Sequence, residues 1–410
     1  MNKSGFISSI DIGSNKIVAL IAEIDEDILK IIGIGQHSSS GVNKGQIINI
    51  DKTTNEIRES IKNATLMAGV KFPPVFVGIG GGHIETISSK GMVAVSRIGT
   101  QIGRDDVNRV IEQAKAIAIP SDREISHIIP QEFIVNSETK TNDPVGMTGI
   151  RLEAEIKIVT TSSYSVQNIE RCLEKSHIKI ADFVVNPIAS IYAVVDEQEK
   201  DLGVIMLDIG AETTSISVYN EGNLRYVGVV EIGGEHITRD IAYGLSTTIV
   251  KASELKKRFG CAYVGMVDNN EIIEVPGVSG RSARKISKQE FVQIIQCRVE
   301  EIFDLAYEKI EKEGKDYLDK IGAGIIITGG SGNLPGICDI AEKVFNLRAR
   351  IGNPRNIAGL SDNINDPSYA TAVGLLYYGI INESTRKTDG RKIDIGNNVF
   401  KKFFEWLKDI

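Results

Sequence analysis

The stretch that decides the fold reads LDIGAETTSISVY, from Leu207 to Tyr219. An apolar strand ends at Asp208, a short turn follows at Gly210, and Thr213 and Thr214 begin a second, alternating strand. Glycine lets backbone N–H groups approach an anion closely, and an aspartate at a strand end can hold Mg²⁺ through water. The pattern is therefore typical of a hairpin that contacts a phosphate, although a tight turn made only for folding has the same pattern.

A second stretch resembles the first and begins the chain. FISSIDIGSNKIVALIAEI, from Phe6, has the same order of apolar strand, Asp-Ile-Gly, polar turn and alternating strand. Its aspartate, Asp11, precedes Asp208 by about half the chain, and its turn adds Gly13, Ser14 and the cation Lys16. This spacing predicts two related halves, each of which begins with a β-hairpin.

A third glycine turn follows the apolar run IIIT. TGGSGNLPG, from Thr328 to Gly336, joins a buried strand to a helix, and its glycines would let a purine and a ribose approach the backbone. EIGGEHITRD, from Glu231 to Asp240, repeats the Gly-Gly pattern before a helix. Helical and strand patterns alternate along most of the chain, which favours an α/β fold. Each motif alone is weak, but two aspartate hairpins followed by Gly-Gly form a specific composite.

The composition limits the function classes. The 410 residues carry 47 Lys plus Arg against 54 Asp plus Glu, a net charge of -7, which gives no general attraction to nucleic acid. The four cysteines are too far apart in sequence for a zinc finger or a C-x-x-C motif, which favours free thiols in a reducing cytosol. No signal peptide and no uncharged apolar run of membrane-spanning length is present in the sequence.

The order of these motifs resembles the actin-like ATPase superfamily, and further segments narrow the resemblance to the FtsA family of bacterial cell-division proteins. NDPVGMTGIRLEAEIKIVTT (Asn142 to Thr161), SELKKRFGCA (Ser253 to Ala262) and ATAVGLLYYG (Ala370 to Gly379) carry that second resemblance. It implies an α/β two-lobe ATPase fold, built from duplicated ribonuclease-H-like units with an inserted FtsA-type subdomain. It also implies ATP and Mg²⁺ between the lobes, head-to-tail polymerisation, and a C-terminal membrane helix.

The resemblance also implies a division of the chain. The first lobe core would comprise residues 1–84, 163–200 and about 366–382, and the inserted subdomain residues 85–162. The second lobe core would comprise residues 201–232 and 312–365, with an outer subdomain over residues 233–311. A flexible linker over residues 383–397 and a membrane helix over residues 398–410 would follow.

The site residues that the resemblance implies, taken from the family by position, fall into five groups. Mg²⁺ would lie near Asp11 and Asp208, and Asn186 in NPIAS would take the water-orienting position, where its short side chain predicts slow hydrolysis. Arg298 would meet the acidic FtsZ tail. The phosphate contacts would be Gly13, Ser14, Asn15, Lys16, Gly210, Ala211, Glu212, Thr213 and Thr214, and the nucleoside contacts Gly233, Gly234, Lys256, Gly329, Gly330 and Ser331.

The second hairpin departs from the family pattern Asp-Ile-Gly-Gly-Gly-Thr-x-Asp. Ala211, Glu212 and Ser215 replace the last two glycines and the second acid. A carboxylate about 4 Å from a γ-phosphate charge would repel it by roughly 4 kcal/mol at an effective dielectric constant of about 20. We therefore expect Glu212 to swing outward or to join the Mg²⁺ water shell, and we expect Glu212→Gly to tighten ATP binding.

The last twelve residues, VFKKFFEWLKDI, predict an amphipathic helix at a membrane surface. Lysines border its apolar face and would meet anionic lipids, as in an interfacial helix. A helix docked on the protein's own core is the alternative, which the polar segment before it disfavours. The membrane-contacting residues would be Phe400, Phe403, Phe404, Trp406 and Leu407.

The leading hypothesis is a nucleotide-dependent filament that ties FtsZ to the cytoplasmic face of the cell membrane at the division septum. Its partners would be the FtsZ C-terminal tail, further copies of the chain, an anionic membrane surface and other division proteins, with no nucleic acid. The alternatives are a pilus-assembly protein of similar fold, a small-molecule kinase or phosphatase of the same superfamily, and a chaperone ATPase.

Overall fold

The computed structural model describes residues 5–25, 28–95, 101–268, 270–277 and 282–388. Within them the chain forms two lobes around a cleft, with a small inserted unit on the first lobe. The first lobe begins with two long antiparallel hairpin strands, a third strand, a short hairpin, a helix and a parallel strand. These elements are β1 (Gly5–Ile12), β2 (Lys16–Asp25), β3 (Ile28–Ser38), β4 (Val42–Asn43), β5 (Gln46–Ile47), α1 (Ile50–Ala68) and β6 (Val75–Ile79).

The inserted unit follows β6 and is a four-stranded sheet of order β7-β10-β8-β9, covered by one helix. Thr86 on its first strand donates its hydroxyl to the backbone carbonyl of Val227 in the second lobe, at 2.7 Å. The insert therefore contacts both lobes. Its elements are β7 (Glu85–Ala94), α2 (Arg104–Lys115), β8 (Arg123–Val135), β9 (Thr139–Thr141) and β10 (Arg151–Ser162).

The chain then completes the first lobe and crosses to the second. A helix and a parallel strand return to the first sheet, and two helices lead across. These are α3 (Ser163–Lys175), β11 (Ile180–Val185), α4 (Asn186–Val194) and α5 (Glu197–Leu202).

The second lobe repeats the plan of the first with a five-stranded sheet of order β14-β13-β12-β17-β18. Its outer part carries three helices and a short hairpin. The elements are β12 (Val204–Ile209), β13 (Thr214–Asn220), β14 (Asn223–Val230), α6 (Gly234–Gly244), α7 (Ile249–Phe259), β15 (Ile272–Val275), β16 (Arg284–Ser287), α8 (Lys288–Leu318), β17 (Gly324–Thr328), α9 (Ile337–Phe345) and β18 (Ala349–Ile351).

The chain ends by returning to the first lobe, whose sheet has the order β11-β6-β1-β2-β3-β19. The last helix packs so closely on α4 that a Cβ at Gly374 would lie 1.8 Å from the carbonyl oxygen of Ala189. Glycine is therefore required where the two helix backbones meet. The last elements are β19 (Ile357–Gly359), α10 (Ser361–Ile364) and α11 (Ala370–Thr388).

Two arginines join the segments that cross between the lobes. Arg350, at the end of the second lobe, donates two hydrogen bonds of 2.8 Å to the Glu199 carboxylate on α5. Arg355, on the returning segment, binds Asp196 and the same Glu199 at 3.0 and 2.8 Å. Planar guanidinium groups suit such paired contacts with carboxylates, so the two crossovers are held together as one hinge.

The two hairpins and the glycine turn follow the buried strands that the sequence predicts. Ile10, Leu207 and Ile327 are fully buried, and each precedes the polar turn of its strand by one to three residues. Strands β1 and β2 pair from Gly5 with Ile24 to Ile12 with Ile17, and β12 and β13 pair from Val204 with Tyr219 to Ile209 with Thr214. The predicted α/β two-lobe fold with an insert is confirmed.

Helix α11 continues to Thr388, so the predicted linker from residue 383 begins in helix. The part of the predicted linker from Glu383 to Thr388 contains neither glycine nor proline, and the first glycine after the helix is Gly390. The predicted membrane helix over residues 398–410 lies outside the described residues. None of the helices in the described part has the length and apolarity needed to span a membrane.

Candidate functional site

A cavity of about 600 Å³ lies between the lobes, within the size range of small-molecule sites. Both aspartate hairpins and the glycine turn after β17 contribute to its wall. The predicted site residues that line it are Asp11, Gly13, Ser14, Asn15, Lys16, Asn186, Asp208, Gly210, Ala211, Glu212, Thr213, Gly234, Lys256, Gly329, Gly330 and Ser331.

The first hairpin is closed by its own backbone. Gly13 donates its N–H to the carbonyl of Lys16 at 3.1 Å, and a Cβ on Gly13 would lie 2.8 Å from that oxygen. Lys16 donates to the Ser368 hydroxyl at 2.8 Å, and its Nζ lies 4.0 Å from the centre of the Tyr369 ring. Burial lowers the pKa of Lys16, and the negative charges of Asp11, Asp366 and Asp208 oppose that shift.

The second hairpin is anchored on the start of α6. Gly210 donates to the carbonyl of Thr213 at 2.9 Å, and the N–H groups of Gly234 and Glu235 donate to the carbonyls of Gly210 and Ala211 at 2.9 and 2.7 Å. The first N–H groups of a helix lack intrahelical partners, so the hairpin satisfies two of them. Ala211 has a negative φ, so its Cβ causes no backbone strain.

Asp11 and Asp208 lie at the ends of β1 and β12 and face the same cavity. Burial and the neighbouring charge of Asp208 raise the pKa of Asp11 to about 7. Burial also raises the pKa of Asp208, against hydrogen bonds to its Oδ2 from the hydroxyls of Ser190 at 2.6 Å and Thr371 at 2.9 Å. A divalent cation would offset this repulsion between two carboxylates.

This donor set fits Mg²⁺ held mainly by water and phosphate rather than by a protein cage. Among the described residues no group of three or more His, Cys, Asp or Glu side chains is arranged to bind a metal. Mg²⁺ usually keeps several waters and takes one or two carboxylates from the protein. Asp11 and Asp208 therefore match a Mg²⁺ ion held mainly by water and phosphate, and not an ion enclosed by protein ligands.

A further part of the cavity wall is built by close backbone approaches. Gly329 has a φ of 82°, and a Cβ there would lie 2.4 Å from Oδ1 of Asp208, so only glycine fits without strain. A Cβ on Gly234 would lie 2.4 Å from the Ser331 hydroxyl. Lys256 donates to the carbonyl of Gly234 at 2.7 Å, and burial lowers its pKa.

Two predicted contacts are not part of the cavity wall. Thr214 is fully buried and donates its hydroxyl to the carbonyl of Ile232 at 2.8 Å, because alternation along β13 turns it away from Thr213. Gly233 lies behind the hairpin, where a Cβ would be 2.6 Å from the carbonyl oxygen of Gly210. The structure thus places both residues as supports of the hairpin.

Of the two positions expected for Glu212, the outward one is wrong, and the one in the Mg²⁺ water shell stays a prediction. The Glu212 side chain is only 11% exposed and accepts a hydrogen bond of 2.6 Å from Arg239. Its other oxygen accepts the backbone N–H of Lys44, in the first lobe, at 2.7 Å. A cation on α6 and an amide across the cleft hold the carboxylate inward.

Asn186 is the first residue of α4 and lines the cavity, with its Oδ1 buried and without a hydrogen-bond partner among the described residues. An unpaired buried acceptor is costly unless a further donor reaches it. Arg298 lies outside the cavity, on α8. Its guanidinium binds Asp240 through two nitrogens, one at 2.9 Å, and also Glu301.

Several residues of the site carry no signal in the local sequence. Ser190 and Thr371 fix Asp208 from helices α4 and α11, and Ser368 fixes Lys16. Lys44 and Gly45 form a tight turn with φ of 48° and 75°, and the Gly45 N–H donates to the Ser14 hydroxyl at 3.0 Å. In the sequence, Gly45 is the one feature that favours a turn here.

Two protein-family models match the chain. The family model described as "Cell division protein FtsA" matches residues 205–374, and that described as "SHS2 domain inserted in FTSA" matches residues 81–160. The chain is similar to the cell division protein FtsA of Pseudomonas aeruginosa, with 37% identity over 96% of this chain and 93% of that protein.

Solved structures share the fold at low sequence identity. The PilM-PilN type IV pilus biogenesis complex matches 91% of this chain and 98% of its own, with a TM-score of 0.65 and 15% identity. MreB5 of Spiroplasma citri bound to ADP matches 94% of this chain and 99% of its own, with a TM-score of 0.57 and 13% identity. The actin-like ATPase fold of these proteins agrees with the two-lobe architecture.

Proposed function

Because the chain belongs to the FtsA family of cell division proteins, we propose that it binds ATP and Mg²⁺ in the cleft between its lobes. In this proposal it polymerises as actin-like filaments and ties FtsZ to the cytoplasmic membrane at the septum. Membership of the family sets aside the pilus, kinase and chaperone alternatives. The observation that carries the nucleotide proposal is the convergence of both aspartate hairpins and the Gly329 turn on one cavity.

Each part of the cavity suits one part of the ligand. Asp11 and Asp208 would hold the waters of Mg²⁺, which would neutralise phosphate charge. The hairpin turns at Gly13 and Gly210 offer backbone close to the phosphates. The glycine turn after β17 and Lys256 would surround the nucleoside. The ADP bound to MreB5 of Spiroplasma citri, a structure of the same fold, supports a nucleotide as the ligand class.

Asn186 would place an acceptor beside the water that attacks the terminal phosphate. Its buried Oδ1 has no partner among the described residues, which supports a role in binding water. Because an amide neither takes up the water's proton nor reaches as far as a glutamine or glutamate, we infer slow turnover. ATP would then act mainly as a ligand that fixes the angle between the lobes.

Calorimetric titration of the purified chain with ATP and Mg²⁺ tests the nucleotide proposal. We expect saturable binding below millimolar ATP, and absence of saturation at millimolar ATP would refute it. Gly330→Val should abolish binding, because Gly330 lines the cavity and a valine side chain there would occupy space needed by the ligand. The fold should tolerate this change, since the nearest atom, Cβ of Ser368, lies 3.8 Å from an added Cβ. Gly5→Val is the matched control, since nothing lies within 4 Å of a Cβ there and Gly5 is not part of the wall.

The membrane proposal rests on the sequence VFKKFFEWLKDI. A single short amphipathic helix binds a bilayer weakly, but a filament would present many copies and raise the effective concentration. Deleting residues 399–410 should abolish sedimentation with anionic liposomes. Replacement of Phe403 and Trp406 by serine should weaken it with little change in charge. Undiminished sedimentation of the deleted form would contradict the assignment.

The FtsZ proposal places an acidic peptide on the helix α8 surface around Arg298. Because Arg298 already binds Asp240 and Glu301, a peptide carboxylate would have to replace one of them. Such exchange between carboxylates keeps the guanidinium paired in both states, which suits a reversible contact. Filament formation and FtsZ binding are tested by sedimentation with nucleotide and by titration with an FtsZ tail peptide.

A further inference from the structure

A chain of hydrogen bonds joins the tips of the two hairpins across the cleft. The Ser14 hydroxyl accepts the N–H of Gly45, and the adjacent N–H of Lys44 donates to Oε2 of Glu212 at 2.7 Å. Arg239 donates to Oε1 of Glu212 at 2.6 Å. We call this set, Ser14, Lys44, Gly45, Glu212 and Arg239, the Glu212 bridge. It connects the first lobe to the second without any ligand.

The bridge is centred on a buried carboxylate. Glu212 is buried and both of its carboxylate oxygens have a donor, whereas the side chain of Arg239 is half exposed. Lys44 adopts a left-handed φ of 48°, which costs a residue with a side chain about 1 kcal/mol. Charge-assisted hydrogen bonds are about twice as strong as neutral ones, so the bond from Lys44 to Glu212 offsets that strain.

The donors of the bridge are also those that an anion would use. Successive N–H groups in a turn such as Lys44-Gly45 form a concave site for a negative group, and Arg239 adds a positive charge. Glu212 and Gly45 both line the cavity, as does Ser14, the hairpin residue that Gly45 contacts. A terminal phosphate between the hairpin tips would compete with the Glu212 carboxylate for the Lys44 N–H and for Arg239.

We propose that Glu212 is a specificity-determining residue whose carboxylate takes the place of a terminal phosphate between the hairpin tips. The cleft then accepts nucleoside diphosphates about as well as triphosphates. This inference rests on the proposed nucleotide binding and names the ligand class of that site. It makes lobe closure at the hairpin tips largely independent of the third phosphate.

Two variants of Glu212 separate its charge from its hydrogen bond. Glu212→Gly removes the carboxylate and leaves the Lys44 N–H and Arg239 available to a third phosphate. Glu212→Gln keeps an acceptor for Lys44 and removes the charge. Glu231→Gln is the matched control, because Glu231 also binds Lys44 across the cleft, through Nζ at 2.8 Å, but both side chains are nearly half exposed.

Binding of ADP and of ATP, each with Mg²⁺, is measured by calorimetry for the full chain and the three variants. We expect the ratio of the ADP and ATP dissociation constants to lie within about threefold of one for wild type. One recovered charge-assisted hydrogen bond predicts that Glu212→Gly raises this ratio about tenfold or more, mainly through tighter ATP binding. Glu212→Gln should give an intermediate ratio, and Glu231→Gln should leave it unchanged.

Hydrogen exchange of the Lys44 amide without nucleotide gives a second readout that does not depend on ligand. The amide should be protected in wild type, in Glu212→Gln and in Glu231→Gln, and should exchange at least about tenfold faster in Glu212→Gly. If Glu212→Gly does not fold, the ratio of the ADP and ATP dissociation constants for Glu212→Gln tests the inference.

Three results overturn the inference. One is a wild-type preference for ATP above tenfold, and another is a ratio that stays the same when Glu212 is replaced. Both leave the proposed nucleotide site intact. The third is absence of binding of either nucleotide to wild type, which overturns the proposed function together with the inference.

Discussion

The Asp11 carboxylate should make the nucleotide-free protein less stable as pH rises. Burial and the charge of Asp208 raise its pKa from 3.8 to about 7, so the folded state holds a proton that the unfolded chain has already released. Stability from this proton is present below about pH 4 and is lost as pH rises to about 7. Asp11→Asn removes the titration and should therefore stabilise the folded protein at high pH.

The shift corresponds to a free energy of about 4 kcal/mol. Because Asp11 lines an open cavity, solvent screens its charge, and we expect ~2 kcal/mol in the free energy of unfolding at pH 8. For a chain of this length, the entropy of unfolding converts that value to about 2 °C in melting temperature. The advantage of the variant should shrink toward zero near pH 4.

Thermal unfolding of nucleotide-free wild type and Asp11→Asn at pH 5, 6.5 and 8 tests this reasoning. Asp51→Asn is the control, because Asp51 is exposed and a hydrogen bond from Lys175 lowers its pKa, so its replacement gives no gain at pH 8. With Mg²⁺ and nucleotide the order should reverse, since wild type alone keeps both carboxylates for the ion. An Asp11→Asn protein that is no more stable than wild type at pH 8 would refute the electrostatic argument.

Three further substitutions test the packing, the hairpin and the α8 surface. Gly374→Val should prevent soluble expression or lower the melting temperature sharply, because its Cβ would meet an α4 carbonyl oxygen at 1.8 Å; a stable variant would contradict the packing. Thr214→Val should cost ~1–2 kcal/mol by leaving a buried carbonyl unpaired, with nucleotide affinity unchanged within about threefold; a larger affinity loss would restore Thr214 as a phosphate contact. Asp240→Asn should tighten binding of an acidic FtsZ tail peptide several-fold by freeing Arg298, and fluorescence anisotropy showing weaker binding would argue against that surface.

Local patterns predicted the elements well where the residues themselves determine them. The two Asp-Ile-Gly stretches and TGGSGNLPG form the turns that meet at the cavity, because a buried strand followed by small residues folds similarly in any context. The run DDVNRVIEQAKAIAI, from Asp105 to Ile119, has apolar residues at helical spacing and predicts a helix, but α2 ends at Lys115. Pro120 accounts for the absence of helix at Ile119, while the periodicity overestimates the helix length by four residues.

The partners of the site residues could not be predicted, because they lie far away in sequence. Thr371 binds Asp208 from 163 residues away, and Lys44 binds Glu212 from 168 residues away. The spacing of apolar residues along the sequence gives no information about such distant pairs. The sequence shows that Glu212 is an unusual residue for a phosphate turn, whereas only the fold reveals that Arg239 and the Lys44 amide neutralise and hold it.

Two of the contacts between the lobes differ in what a ligand could do to them. The hinge formed by Arg350, Arg355 and Glu199 lies on the crossover segments and does not line the cavity, so a nucleotide has no direct means to break it. Three residues of the Glu212 bridge, Ser14, Gly45 and Glu212, line the cavity, and each of the two hydrogen bonds to the Glu212 carboxylate is worth about 1.5–3 kcal/mol. Binding with a micromolar dissociation constant supplies about 8 kcal/mol, enough to displace the bridge. The bridge therefore weakens the preference for a third phosphate without excluding it, and a triphosphate that displaced the carboxylate would join the hairpin tips in its place while the hinge stays fixed.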